Sequence, residues 1–218
     1  MDFIEERKKI VDYGKQMINN HLTTGTGGNL SIYVPDKQVM LISPSGIDYF
    51  KTKLEDVVVM DLDGNVLEGD KKPSSEYELH SIFYRNNPDV RSVVHAHADY
   101  ATACACLRIN IPPLHYIMAD IGDELRCTNY KIYGSPEIAK EAYRVMGKNK
   151  GILLANHGLL AIGKDIDSAM GIARNIEMMC KLYIRASSIG NPVILSKDEM
   201  AAVEKKFKTY GQVKEDKE

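Results

Sequence analysis

The sequence predicts one domain that mixes α-helices and β-strands. Segments with the apolar spacing of amphipathic helices alternate with short apolar runs of strand length, and no linker, repeat or low-complexity segment divides the 218 residues. A hydrophobic content of 44% and a charged content of 27% are ordinary for a globular protein, which argues against a disordered chain. We therefore expect residues 1–218 to form a single domain, with a frayed tail at about 212–218.

Periodicity and turn residues predict the elements of the first half. Apolar residues at helical spacing predict a helix within residues 3–22, and a glycine-rich turn then leads to two strand-like runs, LSIYV and QVMLIS. The run VVVMDLDGNVLEG predicts a hairpin with Asp63 and Gly64 in its turn. Ser75 and Glu78 have the spacing of a capping box, so we expect them to open the helix EYELHSIFYRN.

The same signals predict the second half. The run VVHAHADY reads as a strand, followed by a short helix through YATACACL. Ser135 and Gly147 are suited to begin and end a helix, and the short apolar run GILLAN predicts another strand. A long helix is expected at about 167–188, and a capping box at Ser196 predicts the start of the last helix.

Charge and cysteine usage exclude several functional classes. The formal net charge is −2 and the basic residues form no large cluster, so we expect no nucleic-acid partner. The first residues lack the apolar core of a signal peptide, and no run approaches the roughly 20 apolar residues that span a bilayer. The four cysteines form no C-x-x-C pair and do not suggest a disulfide framework. These features predict a cytoplasmic protein with no membrane partner.

Two histidines, His95 and His97, stand one residue apart within the predicted strand. Side chains at i and i+2 of a strand point to the same face, so the two imidazoles should lie side by side. Such a pair is either two polar residues on a solvated face or half of a metal site. Further ligands elsewhere in the chain decide between these interpretations.

Two more residues qualify as such ligands. Taken alone, His157 in ANHGLL favours a hydrogen-bonded histidine at the edge of the core, but zinc sites commonly join a close pair to a distant third ligand. Glu76 in PSSEYELH is placed to stabilise a helix N-terminus, or to serve as a fourth ligand or general base. His80, one helical turn later, is placed either to brace Glu76 or to lie at the surface, and we expect the surface position.

Three short stretches, GTGGN, SPSG and PSSE, predict an anion site. The first is not a dinucleotide fingerprint, because it follows a helix and opens a strand, and alone it fits a helix C-cap and turn. Together the three offer hydroxyls and accessible backbone amides, as an anion-binding nest does. We infer a phosphate site that has no dedicated arginine.

Five segments in order, GTGGNLS, ISPSGIDY, PSSEYELH, VVHAHADY and ANHGLLAIG, resemble the motifs of the class II aldolase/adducin family. The resemblance spans nearly the whole chain. Within the family, IPPLHY at 111–116, Glu76 and the tail EKKFKTYG at 204–211 resemble the bacterial L-fuculose-phosphate aldolases. The family resemblance implies a three-layer α/β/α sandwich around a largely antiparallel sheet, and a cyclic homotetramer with its active sites at subunit interfaces.

The resemblance also implies a role for individual residues. The zinc ligands of the family match His95, His97 and His157, and its catalytic carboxylate, which can also touch the metal, matches Glu76. Its phosphate-binding residues match six positions: Gly28, Asn29, Ser45, Gly46, Ser74 and Ser75. Two active-site tyrosines of the family match Tyr116, expected from a neighbouring subunit, and Tyr210.

The implied reaction is the reversible cleavage of L-fuculose 1-phosphate, or a close ketose 1-phosphate, to dihydroxyacetone phosphate and L-lactaldehyde. Zinc held by three neutral imidazoles keeps its full charge and can stabilise the enediolate left by cleavage. We expect the substrate to displace Glu76 from the metal, so that Glu76 shuttles a proton to the enediolate carbon, while Tyr116 stabilises the aldehyde oxygen.

Departures from the family leave alternatives open. Gly27 stands where relatives usually have alanine, and IMADIGDEL after Tyr116 is rich in acids, which puts the aldehyde preference in doubt. An L-ribulose-5-phosphate 4-epimerase-like enzyme is one alternative, although those proteins tend to have PSSD where this chain has Glu76. A non-catalytic adducin-like interaction module is the other, although such modules lack the full histidine set.

Overall fold

A computed structural model describes residues 1–207, in which strands and helices alternate. The strands are Asn29–Val34 (β1), Val39–Ile42 (β2), Val58–Asp61 (β3), Val66–Glu68 (β4), Ser92–Ala96 (β5), Gly151–Leu154 (β6) and Gly158–Gly163 (β7). The α-helices are Ile4–Asn19 (α1), Tyr77–Asn86 (α2), Asp99–Leu107 (α3), Met118–Ile121 (α4), Pro136–Met146 (α5), Ile166–Ser187 (α6) and Lys197–Phe207 (α7). Within residues 1–207, no helix is both long and apolar enough to cross a membrane.

The strands form one seven-stranded sheet in the order β4-β3-β2-β1-β5-β7-β6, and every neighbouring pair is antiparallel. β1 and β5 therefore lie near the centre, covered on both faces. The residues of β5 are all buried, and the strand reads as a nearly continuous apolar run rather than an alternating one. This agrees with the sheet that the family resemblance implies.

Two apolar clusters, one on each face of the sheet, make up the core. Helices α1, α3 and α6 pack on one face, where Leu30 and Val94 contribute from the central strands. Helices α2 and α5 pack on the other face, against Val93 and Leu160. Alternate residues of one strand thus enter different clusters, as Val93 and Val94 do, because successive side chains leave a strand on opposite faces. The expected three-layer α/β/α sandwich is confirmed.

Helix caps were predicted with mixed success. Ser135 accepts a hydrogen bond from the Ile138 amide at 3.3 Å and begins α5, as its sequence position predicts. The capping box predicted at Ser75 is wrong, because α2 begins one residue later, with Glu76 at the N-cap and no side-chain cap. Glu78, its supposed partner, instead forms an ion pair with Arg85 at 2.7 Å. Local spacing could not reveal that Glu76 is directed into the protein.

Candidate metal centre and active site

Four side chains from separate segments meet at one end of the central strands. His95 is the penultimate residue of β5, and His97 follows the strand directly. His157 lies in the turn between β6 and β7, and β7 pairs with β5 so that Leu160 stands opposite His95. Glu76 occupies the N-cap of α2, which packs on the same sheet face as His95. Strand pairing and the packing of α2 on the sheet therefore bring together residues that lie up to 81 positions apart in the sequence.

The four residues form a compact donor cluster. One ligand atom from each lies within 4.8 Å of all the others. The Nε2 atoms of His95 and His97 are 2.9 Å apart, so the strand alternation does place the two imidazoles together. The carboxylate of Glu76 contacts two of the histidines: its Oε2 is 3.3 Å from Nε2 of His95, and its Oε1 is 3.5 Å from Nε2 of His157.

The surroundings of His95 favour metal binding over a hydrogen-bonded core histidine. Its Nδ1 lies 2.8 Å from the carbonyl oxygen of Leu159 and donates to it. The other ring nitrogen, Nε2, then has a lone pair directed at the cluster, which is the usual arrangement of a metal-ligating histidine. In addition, Oε1 of Glu76 is buried and accepts no hydrogen bond from the described residues. Three imidazoles and a carboxylate of this kind fit a divalent metal such as zinc.

Burial and mutual repulsion keep the cluster ready for a cation. Burial lowers the pKa of His97 and that of His157 to about 4, helped in both cases by the nearby His95. Burial alone would raise the pKa of Glu76, but His95, His157 and a hydrogen bond from Asn29 hold it well below its usual range. Glu76 in turn outweighs burial and raises the pKa of His95. The carboxylate is therefore ionised at neutral pH, and a positive charge beside it is favoured.

Two glycines permit the close approach of segments around the cluster. A Cβ on Gly158 would lie 2.3 Å from the carbonyl oxygen of Ala96, so only glycine lets the β6–β7 turn pack against the end of β5. Gly28 has a φ of +69°, and a Cβ there would lie 2.7 Å from the carbonyl oxygen of His95. Its carbonyl oxygen accepts a hydrogen bond from the buried hydroxyl of Tyr49 at 3.0 Å.

Sequence reasoning missed a buried polar network behind Glu76. His80 is 0% exposed, so the expectation that it lies at the surface was wrong. It faces β1 from α2, between Asn29 and Ser31, and the side-chain amide of Asn29 reaches Oε2 of Glu76 at 2.9 Å. The i, i+4 spacing of Glu76 and His80 was the signal available in the sequence, because it places both residues on one face of α2.

The predicted phosphate residues fall on three neighbouring segments. Ser45 and Ser74 belong to loops that run side by side, since the Ser45 amide donates to Lys72 and the Ser74 amide donates to Ser43. Ser43 in turn bonds to Leu30, next to Gly28 and Asn29. Three of the six, namely Ser45, Gly46 and Ser75, are solvent-exposed, whereas the side chain of Asn29 is buried against Glu76.

Of the two predicted active-site tyrosines, only Tyr116 lies within the described residues. Tyr116 precedes α4, is 50% exposed, and its ring contacts His115 and Phe207. Tyr210 lies outside the described residues. The acids after Tyr116 are largely paired: Asp120 lies 3.4 Å from Lys150, and both Asp123 and Glu124 contact Arg126 at 3.1 Å. They do not form a row of unpaired negative charges.

Comparisons with known proteins agree with this geometry. Residues 8–184 match the family model described as the class II aldolase and adducin N-terminal domain. A Bacillus thuringiensis serovar kurstaki protein named 5-deoxy-D-ribulose 1-phosphate aldolase is 44% identical, with 95% of this chain and 98% of the relative covered. The L-fuculose phosphate aldolase of Escherichia coli K12 is 37% identical, with 94% of each chain covered. A solved structure named L-fuculose 1-phosphate aldolase superposes with a TM-score of 0.92 at 42% identity, over 95% of this chain and 98% of that one.

Proposed function

Because this chain belongs to the class II aldolase and adducin family, we propose that it is a metal-dependent aldolase that cleaves a terminally deoxygenated ketose 1-phosphate to dihydroxyacetone phosphate and a short aldehyde. One observation carries the proposal: three imidazoles and the buried carboxylate of Glu76 converge within 4.8 Å. An interaction module gains nothing from clustering four ionisable groups of which two, Glu76 and His95, are buried, because this is costly unless they bind a cation. Zinc is the metal that this donor set suits.

The cleavage has a defined charge and proton balance. The C4 hydroxyl loses its proton, the C3–C4 bond breaks, its electron pair stays on C3 as an enediolate, and the aldehyde leaves. A divalent metal held by His95, His97 and His157 supplies a Lewis acid for the charge that develops on the former carbonyl oxygen. The enediolate carbon, C3, then gains one proton, which balances the proton that the C4 hydroxyl lost.

Glu76 is suited to carry this proton. Its carboxylate lies within the cluster and is 6% exposed, so water competes little for a proton that it accepts. Phosphate bound at Gly28, Asn29, Ser45, Gly46, Ser74 and Ser75 would anchor the substrate beside this carboxylate. Anchoring lowers the entropic cost of aligning the reacting carbons.

The proton role is tested by replacing Glu76→Gln, with Glu78→Gln as the matched control. Glu78 lies two residues further on and pairs with Arg85, so its loss should leave turnover near the wild-type level. We expect Glu76→Gln to lose about 100-fold or more in kcat while three histidines retain the metal. Near-normal kcat in Glu76→Gln would exclude the role.

We propose two candidate substrates, which differ in the aldehyde that cleavage releases. L-Fuculose 1-phosphate would give L-lactaldehyde, and 5-deoxyribulose 1-phosphate would give acetaldehyde, which is shorter by one CHOH group. Aldolases named for each resemble this chain over more than nine-tenths of its length. Release of dihydroxyacetone phosphate should be measured from both, with chelator and after zinc is restored. The ratio of the two kcat/KM values decides the preference, and no release from either would refute the function.

We further propose a homotetramer in which Tyr116 serves the cluster of a neighbouring copy. The exposed ring supports this, because it stands on the surface of its own chain. Co-expressing Glu76→Gln with Tyr116→Phe should restore part of the activity that each variant lacks, since some sites of the mixed oligomers then contain both native residues. No restoration, or a monomer by light scattering, would exclude the shared site.

An epimerase remains the alternative with related chemistry. Conversion of L-ribulose 5-phosphate to its C4 epimer, with no release of a triose, would replace the aldolase proposal.

A further inference from the structure

We infer that His80 is a positioning residue for Glu76: acting through Asn29, it fixes one carboxylate oxygen and leaves the other to take part in the reaction. The inference rests on the proposed function, because it gives the carboxylate of that same site its orientation. The side chain of His80 forms hydrogen bonds with Asn29 and Ser31, and Asn29 connects it to Glu76.

The two oxygens of Glu76 have unlike surroundings. Oε2 accepts a hydrogen bond from Nδ2 of Asn29 at 2.9 Å. Oε1 is buried with no hydrogen-bond donor from the described residues and lies 3.5 Å from Nε2 of His157. Leaving a buried carboxylate oxygen without a donor is costly, so such an atom is expected where a ligand or a transferred proton will occupy it. Oε1 is therefore the reacting oxygen, and Oε2 is the anchored one.

The anchor depends on which way the Asn29 amide faces. Its oxygen and nitrogen are similar in size, so packing alone does not choose between the two orientations. Oδ1 of Asn29 lies 2.5 Å from Nε2 of His80. If that ring nitrogen carries a hydrogen, it donates to Oδ1 and turns Nδ2 toward Glu76. If it does not, the amide oxygen would face the carboxylate, and two acceptors would meet.

The negative charge of Glu76 favours the tautomer of His80 that donates to Asn29, and the rest of the network accommodates that tautomer. Nδ1 of His80 lies 2.7 Å from Oγ of Ser31, and the same Oγ lies 2.6 Å from the hydroxyl of Tyr84. Tyr84 can donate to Ser31, Ser31 to Nδ1 of His80, Nε2 of His80 to Asn29, and Asn29 to Glu76. Every group then has a partner, and all the donors are directed toward the carboxylate.

A neutral imidazole is required for this polarity, because a charged one would need an acceptor at both nitrogens. His80 is fully buried, and burial lowers its pKa to about 3, so it has one N–H at neutral pH. The negative charge of Glu76 and the single hydrogen of His80 therefore both favour the order in which His80 donates to Asn29 and Asn29 donates to Glu76.

Two replacements of His80 separate positioning from stability. The amide nitrogen of Gln reaches the place of Nε2 and can still donate to Asn29, whereas the shorter Asn reaches only the place of Nδ1. We expect His80→Asn to lower kcat roughly 10- to 100-fold with little change in KM, as misplacement of a reacting group does. His80→Gln should keep kcat within a few-fold of wild type, and both should retain the metal.

Tyr84→Phe provides a measure of the network's structural contribution, because its hydroxyl bonds to Ser31, and Ser31 can still donate to Nδ1 of His80 without it. It should be destabilised while its kcat stays near wild type. If kcat instead follows the free energy of unfolding across all three variants, or if His80→Gln is as impaired as His80→Asn, His80 is merely structural and the inference fails.

A second measurement needs no catalysis. In the metal-free wild-type protein, long-range ¹⁵N–¹H NMR should show a hydrogen on Nε2 of His80 and none on Nδ1. The opposite tautomer would overturn the inference even if the aldolase activity is present. Conversely, an Nε2–H tautomer in a protein that releases no dihydroxyacetone phosphate would support the network and refute only the proposed reaction.

Discussion

Acid should destabilise the metal-free protein, and the part of that loss due to His80 can be measured separately. Its imidazole is fully buried and burial lowers its pKa to about 3, whereas a histidine in an unfolded chain titrates near 6.5. A group whose pKa is depressed by folding contributes stability above its unfolded pKa and loses it as the pH falls. The loss therefore develops between about pH 6.5 and about pH 3.

The magnitude follows from the difference between the two pKa values. At about pH 5 the unfolded chain binds almost one proton at this position and the folded chain binds almost none, which lowers the free energy of unfolding by about 2 kcal/mol relative to about pH 7.5. A loss of this size is a large part of the total stability of most domains.

Urea unfolding at these two pH values, with chelator and at one fixed protein concentration, measures the effect. The matched protein is His80→Gln, which lacks the titrating ring but keeps an amide at its place. His95, His97 and His157 titrate in both proteins, so their contributions cancel in the difference between the two pH-induced losses. Wild type should lose about 2 kcal/mol more than His80→Gln. Equal losses would show that His80 is protonated in the folded state and would refute the reasoning.

Three further changes test other parts of the fold. Gly28→Ala should lower the free energy of unfolding clearly more than Gly46→Ala. Both glycines have a positive φ, which costs an alanine about 1–2 kcal/mol, but only at Gly28 does the new Cβ meet a backbone oxygen, that of His95. Equal shifts of the melting temperature would argue against the contact. Ser135→Ala should lower the free energy of unfolding by about 1 kcal/mol, whereas Ser75→Ala, with no cap to lose, should change it little. Removing bound metal with chelator should abolish turnover and lower the thermal midpoint, and restored zinc should reverse both; a midpoint unaffected by chelator would count against metal at this cluster.

Much of the site was accessible from the sequence because its signals are local. The two-residue period of a strand predicts that His95 and His97 share a face, and the structure places their Nε2 atoms 2.9 Å apart. The spacing of His157 and Glu76 along the chain carries no such geometry. These two entered the predicted site through their chemistry and through the family resemblance, and the sheet order explains why they meet the pair.

The helix caps show where local signals fail. Ser75 and Glu78 satisfy the capping-box pattern as well as Ser196 and Glu199 do, yet only the second pair makes those bonds. At α7 both residues are exposed, so nothing competes for them. At α2 the packing of Glu76 into the cluster moves the start of the helix and leaves Ser75 without the role that its position predicts.

The sequence by itself determined the alternation of elements, the amphipathic faces, the paired histidines and the identity of the donor set, because each depends on residue type and on spacing within a few positions. Tertiary structure alone decided that His80 is buried, that Asn29 serves Glu76, and that one oxygen of Glu76 is held while the other is left without a donor. These depend on partners 47 to 51 residues away, brought into contact by strand pairing and helix packing. The orientation of a buried polar group is set by its neighbours in space, and local sequence does not encode them.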